Sequence, residues 1–132
     1  MIELIHVYPI ERHMRALYDL LAERTPEQSI SHHAMPTYND HVLFVRSGPY
    51  RQWYLIMALE YVGSIYLSHR SEIGVSVFRR HQRKGYARAA VLQLMAKHPG
   101  PYYANVNPEN AASIALWESL AFRHLQSTYA RG

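Results

Sequence analysis

Between Arg79 and Arg88 the chain carries five Arg or Lys in ten residues, and inside that run sits Gln82–Arg88, QRKGYAR. A phosphate is held well where a glycine opens a helix. The first-turn N–H groups have no intrahelical partner and stand at the positive end of the helix dipole. Gly85 lets backbone approach a ligand because no Cβ stands in the way, and Ala87 is the next smallest choice two positions on. Arg83, Lys84 and Arg88 add charge around the mouth. A duplex-binding surface needs no small residues at two fixed places and spreads its basic residues over a wider face. An ordinary exposed basic loop before a helix is the remaining alternative on this stretch alone.

Composition narrows the chemistry. The 132 residues suit one domain with a genuine core. Hydrophobic content of 48% and charged content of 18% are globular values. The net charge of +4 favours anionic ligands without requiring nucleic acid. There is no cysteine, so disulfides, thiolate zinc sites and a cysteine nucleophile are excluded. No run nears the roughly 18 apolar residues of a membrane span. The start MIELIHVYPI lacks the pattern of a signal peptide, so a soluble cytoplasmic protein is the expectation. Nine histidines raise the question of a metal. His32 and His33 are adjacent and point apart, and no predicted helix carries two His four residues apart. Scattered solvated or packed histidines are expected, and no metal.

The elements that must position the basic loop follow from periodicity. IELIHVY suits a strand. Pro9 then opens a helix with Ile10, Met14, Leu17, Leu20 and Leu21 on one face. TYNDHVLFVRSG suits a short helix closed by Gly48. RQWYLIMAL and YVGSIYLS are strands, with a turn near Glu60, and EIGVSVF is another from Glu72 to Phe78. After the loop, Gly85 opens a helix whose apolar stripe is Ala87, Ala90, Val91, Leu94 and Met95. YYANV is a fifth strand. A last helix is expected over 108–120 with Asn107 as N-cap and Pro108 in its first turn. FRHLQSTY is a final strand. The fold class is α/β (α+β): a mixed, mostly antiparallel sheet with helices on both faces. A right-handed strand–helix–strand unit makes the strands at 72–78 and 102–106 parallel.

A second motif, VNPENAASIALWESLAF from Val106 to Phe122, follows the fifth strand. Together with EIGVSVFRRHQRKGYARAAVLQLM it resembles the GNAT superfamily of N-acetyltransferases, across nearly the whole chain. Gln82, Gly85 and Ala87 match that family's acetyl-CoA loop, and Val77 matches a valine eight residues before the glycine. Val106, Pro108, Asn110, Ser113, Ile114, Leu116 and Phe122 match the second motif. The resemblance implies acetyl-CoA as co-substrate and direct attack by an acceptor amine in a ternary complex. It implies that backbone at Val75 and Val77 holds the pantetheine arm and the carbonyl. It also implies that N–H groups from Arg83, Lys84, Gly85, Tyr86, Ala87 and Arg88 hold the pyrophosphate. Asn110 and Ser113 would contact CoA from the last helix.

Glu72 begins a strand where several family members carry an acid that serves as base, which makes it either that base or a surface glutamate paired with an arginine. Trp117 stands where the family has a tyrosine, commonly the acid for the departing thiolate, and an indole cannot fill that role. Tyr102, Tyr103 and Tyr129 are candidates to replace it. Ala121 stands where the family has glycine. About ten residues follow Phe122, too few for the family's terminal two-strand hairpin. That leaves an open strand edge, and a homodimer through the C-terminal strand is the expectation. His32, His33, Tyr38 and His41 follow the first helix, near the family's acceptor, and either contact an acceptor or belong to a plain surface loop. The acceptor is expected to be a small amine such as a nucleotide-linked amino sugar. A protein N-terminus or lysine is one alternative, and a degenerate CoA-binding or nucleic-acid-binding module without catalysis is the other.

Overall fold

Residues 1–24 and 35–132 are described by the structure, a computed structural model. Strands β1 (Glu3–His6), β2 (Gln52–Met57), β3 (Tyr61–Leu67) and β4 (Ile73–Val77) form one antiparallel sheet in that order. The helices are α1 (Glu11–Ala22), α2 (Tyr38–Arg46), α3 (Tyr86–Lys97) and α4 (Ala111–Ser119). His32 and His33 lie outside the described residues. Among the described residues no helix is long and apolar enough to cross a membrane.

Alternation along the strands divides the core in two. Tyr54, Ile56, Ile65, Leu67 and Ile73 face Ala90, Val91 and Leu94 of α3 and Trp117 of α4. Leu55 and Trp53 face Met14 and Leu17 of α1 and Val45 of α2. The expected helices on both faces are present, and the apolar spacing of α1 and α3 is what docks them. Thr37 caps α2 by accepting from the Asp40 N–H at 3.1 Å.

Three expectations at the C-terminal end are corrected. The parallel fifth strand shrinks to a single bridge, Glu72 with Tyr103. Beyond it the chain leaves the sheet, and the Asn105 side chain goes to Glu72 instead. The last helix begins at Ala111, and its N-cap is Asn110, whose Oδ1 accepts from the Ser113 N–H at 3.0 Å. Asn107 closes the turn before it, accepting from Glu109 N–H at 2.9 Å. The strand expected over FRHLQSTY does not form, because the strand it would pair with contributes one bridge and no ladder to extend. The strand edge on which the dimer expectation rested is therefore absent from the described residues.

Helix α4 ends in a Schellman motif. Phe122 N–H bonds the Trp117 carbonyl at 3.0 Å and Ala121 N–H bonds the Glu118 carbonyl at 3.0 Å. The rings of Trp117 and Phe122 meet at 4.9 Å, the apolar contact that accompanies this turn. Ala121 occupies the left-handed position at φ 66°. That conformation costs an L-residue roughly 1–2 kcal/mol, offset in part by glycine's extra freedom when unfolded. Ala121→Gly is expected to stabilise the fold by about 0.5–1 kcal/mol in denaturant titration, with no change in the slope.

Candidate active site

After β4 the chain makes a 3-10 turn over Arg79–His81 and then two left-handed steps, Arg83 at φ 64° and Gly85 at φ 82°, before α3. A Cβ on Gly85 would meet nothing within 4 Å. Glycine is therefore needed there for its backbone angle, and the surface beside it is open. The first helical bond of α3 runs from Ala89 N–H to the Gly85 carbonyl. The N–H groups of Tyr86, Ala87 and Arg88 are accordingly left without helical acceptors.

The five cations of this stretch divide into two kinds. Arg79 donates to the Glu23 carbonyl at the end of α1, and its backbone N–H bonds the Glu23 carboxylate at 2.7 Å. Arg80 pairs with Glu60 at 3.1 Å, and His81 bonds the same carboxylate. Hydrogen bonds from His81 and Arg80 hold the Glu60 carboxyl below its ordinary range. These contacts tie the loop to α1 and to the β2–β3 turn. Among the described residues Arg83, Lys84 and Arg88 are exposed and make no ion pair. The cations next to the open helix N-terminus are the ones with charge to spare for an anion. Tyr86 and Val75 turn their side chains into the core, so their backbone is what faces outward.

The edge of β4 supplies more backbone. Ile73 N–H bonds the Tyr103 carbonyl at 2.7 Å, while Phe78 N–H bonds Val62 on β3 at 2.9 Å. Antiparallel alternation then turns the N–H and C=O groups of Val75 and Val77 away from β3, onto the side where only Tyr103 pairs. Gln82 Nε2 donates to the Val77 carbonyl at 3.1 Å and fixes the loop against that edge. Asn110 and Ser113 are brought to each other by the α4 cap, which occupies Asn110 Oδ1.

On the other face, a cavity of about 310 Å³ lies between α1, α2 and the sheet. Its floor includes Ser64, Tyr66, Gly74 and Ser76. The Tyr66 ring lies over Gly74, where a Cβ would come within 2.2 Å of it. Tyr50 stacks on Tyr66 at 3.8 Å, nearly parallel, and Trp53 meets Tyr50 edge-on at 4.9 Å. Burial pushes both phenols up, most strongly that of Tyr50, so neither is an easy proton donor. None of these residues stood out from the sequence as a site. The available signal was IGVSV in β4, which alternates large and small, and the small face is the cavity floor.

Glu72 lies two residues before Gly74 on that same face of the strand, about 7 Å along it. Its carboxylate accepts from Ser68 Oγ at 3.1 Å and from Asn105 Nδ2 at 2.6 Å. Among the described residues it pairs with no arginine, so the surface ion pair weighed for it is not formed. Both bonds hold the carboxylate in place beside the bridge where β4 and the chain at Tyr103 part.

The tyrosines weighed as acids lie elsewhere. Tyr102 OH donates to the Met95 and His98 carbonyls at the end of α3. Tyr129 is exposed, and Tyr103 sits half-exposed at the parallel bridge. Trp117 is buried in the core. Tyr38 OH bonds Glu11 at 3.0 Å on the outside of α1. His41 lines the cavity and is buried. Among the described residues no group of three His, Asp or Glu could hold a metal.

Solved structures similar to this chain include acetyltransferases. An acetyltransferase from Thermus thermophilus superposes with a TM-score of 0.76 at 20% identity, covering 96% of this chain and 89% of that one. The protein yncA from Salmonella typhimurium, solved with its cofactor acetyl-CoA, gives 0.73 at 18% identity over 92% and 79%. Spermidine N-acetyltransferase SpeG from Vibrio cholerae gives 0.74 at 14% identity over 95% and 81%. At these identities the likeness is one of fold. No curated protein matches the sequence. The family model of the acetyltransferase (GNAT) family matches residues 14–122, from α1 through the turn that ends α4, and the chain belongs to that family of acetyl-CoA-dependent acyltransferases.

Proposed function

We propose that this chain moves an acetyl group from acetyl-CoA to the primary amine of a compact small molecule held in the cavity between α1, α2 and the sheet. The observation that carries the acceptor half is the cavity itself, about 310 Å³ and floored by Gly74 and Ser76 of β4. The same strand's edge offers the backbone of Val75 and the Val77 N–H to the donor, the Val77 carbonyl being held by Gln82. In this reading the N–H groups from Arg83 to Arg88 hold the pyrophosphate, with Arg83, Lys84 and Arg88 neutralising it. The pantetheine arm runs along Val75 and Val77. Asn110 Nδ2 and Ser113 Oγ are the side-chain groups on α4 left to touch CoA.

Bound acetyl-CoA supplies an acetyl group activated as a thioester. Glu72 takes the proton of the attacking amine through one water, since the carboxylate stands about two residues along the strand from Gly74. As the C–N bond forms, the C–S bond breaks, and the sulfur leaves as a thiolate that solvent protonates. Trp117 has no acidic proton to give it.

The cavity volume sits at the lower edge of the roughly 300–1,000 Å³ common for small-molecule sites. That favours a single-ring or short-chain amine over a nucleotide-linked amino sugar or a polypeptide end. Every group invoked comes from one chain, so the reading does not call on a dimer.

Acetyl-CoA at 100 times its dissociation constant should stabilise the protein by about 2.7 kcal/mol, because it binds the native loop and not the unfolded chain. A panel of amines should then release free thiol from acetyl-CoA. No stabilisation would remove CoA from the assignment. Stabilisation without thiol release from any amine would leave a CoA-binding module.

A further inference from the structure

Among the described residues, two buried side-chain polar atoms have no hydrogen-bond partner, His81 Nδ1 and His41 Nε2. The His41 side chain belongs to the cavity wall, and the residue is 5% exposed. Its ring packs against Tyr18 at 5.3 Å, which fixes its plane. The Met14 backbone on α1 lies close enough to the ring to favour its proton, a smaller effect than burial. In the neutral tautomer with the proton on Nδ1, Nε2 is an acceptor with no donor. Burial keeps the ring neutral by lowering its pKa.

A buried acceptor without a donor costs about 1–3 kcal/mol, and few native groups are left that way. Much of the wall is apolar or aromatic, with Leu17, Leu20, Phe44, Tyr50 and Trp53, and its other polar members include Arg24, Asp40, Ser64 and Ser76. The apolar part of the wall suits a flat or aliphatic body and by itself gives it no orientation. Orientation must come from a polar contact, and among the described residues His41 Nε2 is the buried wall atom without a partner.

Resting on the proposed acceptor site, we infer that His41 is its specificity residue: its bare Nε2 accepts a hydrogen bond from an O–H or N–H on the body of the acceptor. The substrate class is then a compact amine of the arylalkyl kind, with its amino group directed to β4 and a ring hydroxyl or ring N–H directed to α2. Stacking with the Tyr50 and Trp53 side chains holds the ring. A hydroxyl-bearing acceptor completes the Nε2 atom, whereas its deoxy analogue leaves it buried and unpaired.

The test compares two amines that differ by one hydroxyl, tyramine and phenethylamine, in thiol release at saturating acetyl-CoA. The parent protein is expected to show a KM for tyramine about tenfold below that for phenethylamine, with similar kcat. His41→Leu is expected to bring the two KM values within about twofold by raising that of tyramine. His41→Gln, which keeps an acceptor near the Nε2 position, should retain part of the preference. Equal KM values in the parent would overturn the inference without any variant, and so would a tyramine preference that survives His41→Leu. Turnover of other amines but neither of these would also overturn it, while leaving the acetyltransferase reading in place. Absence of thiol release with every amine would fail both.

Discussion

Glu72→Gln is expected to lower kcat by about 100-fold at pH 7 and to leave acetyl-CoA affinity within about twofold of the parent. The size follows from the role proposed for it. An alkyl amine with a pKa near 10 is neutral in about one part in a thousand at pH 7, and general-base assistance is worth about 10²–10⁴-fold. The loss should shrink as pH rises toward the amine's pKa, because the acceptor then arrives already deprotonated. A purely structural role predicts something different. Glu72 clamps Ser68 and Asn105, and a loosened clamp would lower activity by the same factor at every pH. Gln keeps one acceptor oxygen for Ser68 but presents its amide to Asn105 Nδ2, so some loosening is built into the variant. Asn105→Ala controls for it, since it removes the Asn105 half of the clamp and keeps the carboxylate. A flat pH profile for Glu72→Gln matching that of Asn105→Ala would return Glu72 to a structural role.

The layout of the sheet and helices was legible because it rests on repetition. Met14, Leu17 and Leu20 recur at helical spacing on α1, and Leu67, Ile73 and Val75 alternate along β3 and β4, so local pattern and tertiary burial agree. The turn into α3 was legible because Gly85 holds a left-handed angle that favours glycine. YYANV and FRHLQSTY carry the same β-rich composition as true strands but do not extend the sheet. Whether such a segment pairs depends on a partner edge, and composition is silent about that. Asn110 displaced Asn107 as the cap because Asn107 folds back on the Glu109 N–H, a local competition that both asparagines could have won. The aromatic cavity was the least visible part. Tyr50, Trp53 and Tyr66 come from a loop and two strands, and only the register Trp53 opposite Tyr66 brings them together. His41 was weighed as an acceptor contact or a plain loop residue, and the choice stayed open because neither its burial nor its leftover nitrogen leaves a mark on sequence.

Gly85→Val is expected to weaken acetyl-CoA binding by about 30- to 150-fold while the protein stays folded. At φ 82° a β-branched residue is a genuine outlier, although its side chain would meet open space. The loop will therefore escape to a negative φ rather than clash, and the N–H groups of Tyr86, Ala87 and Arg88 will turn from the anion. Losing the aim of one charge-assisted hydrogen bond costs about 2–3 kcal/mol, which gives that range in Kd. Gly85 is exposed, so the core does not depend on it, and the melting temperature should fall only slightly. Arg83→Gly is the companion variant, because Arg83 also holds a left-handed angle, φ 64°, without glycine's freedom. It should stabilise the apo protein and cost about fivefold in affinity, the worth of one exposed charge. The pair separates backbone shape from charge. If shape holds the pyrophosphate, Gly85→Val is the far more damaging of the two at every salt concentration. A Gly85→Val protein that binds acetyl-CoA as the parent does would remove the loop from the site. An Arg83→Gly loss larger than that of Gly85→Val, and vanishing at high salt, would mean that charge and not the helix N-terminus does the holding.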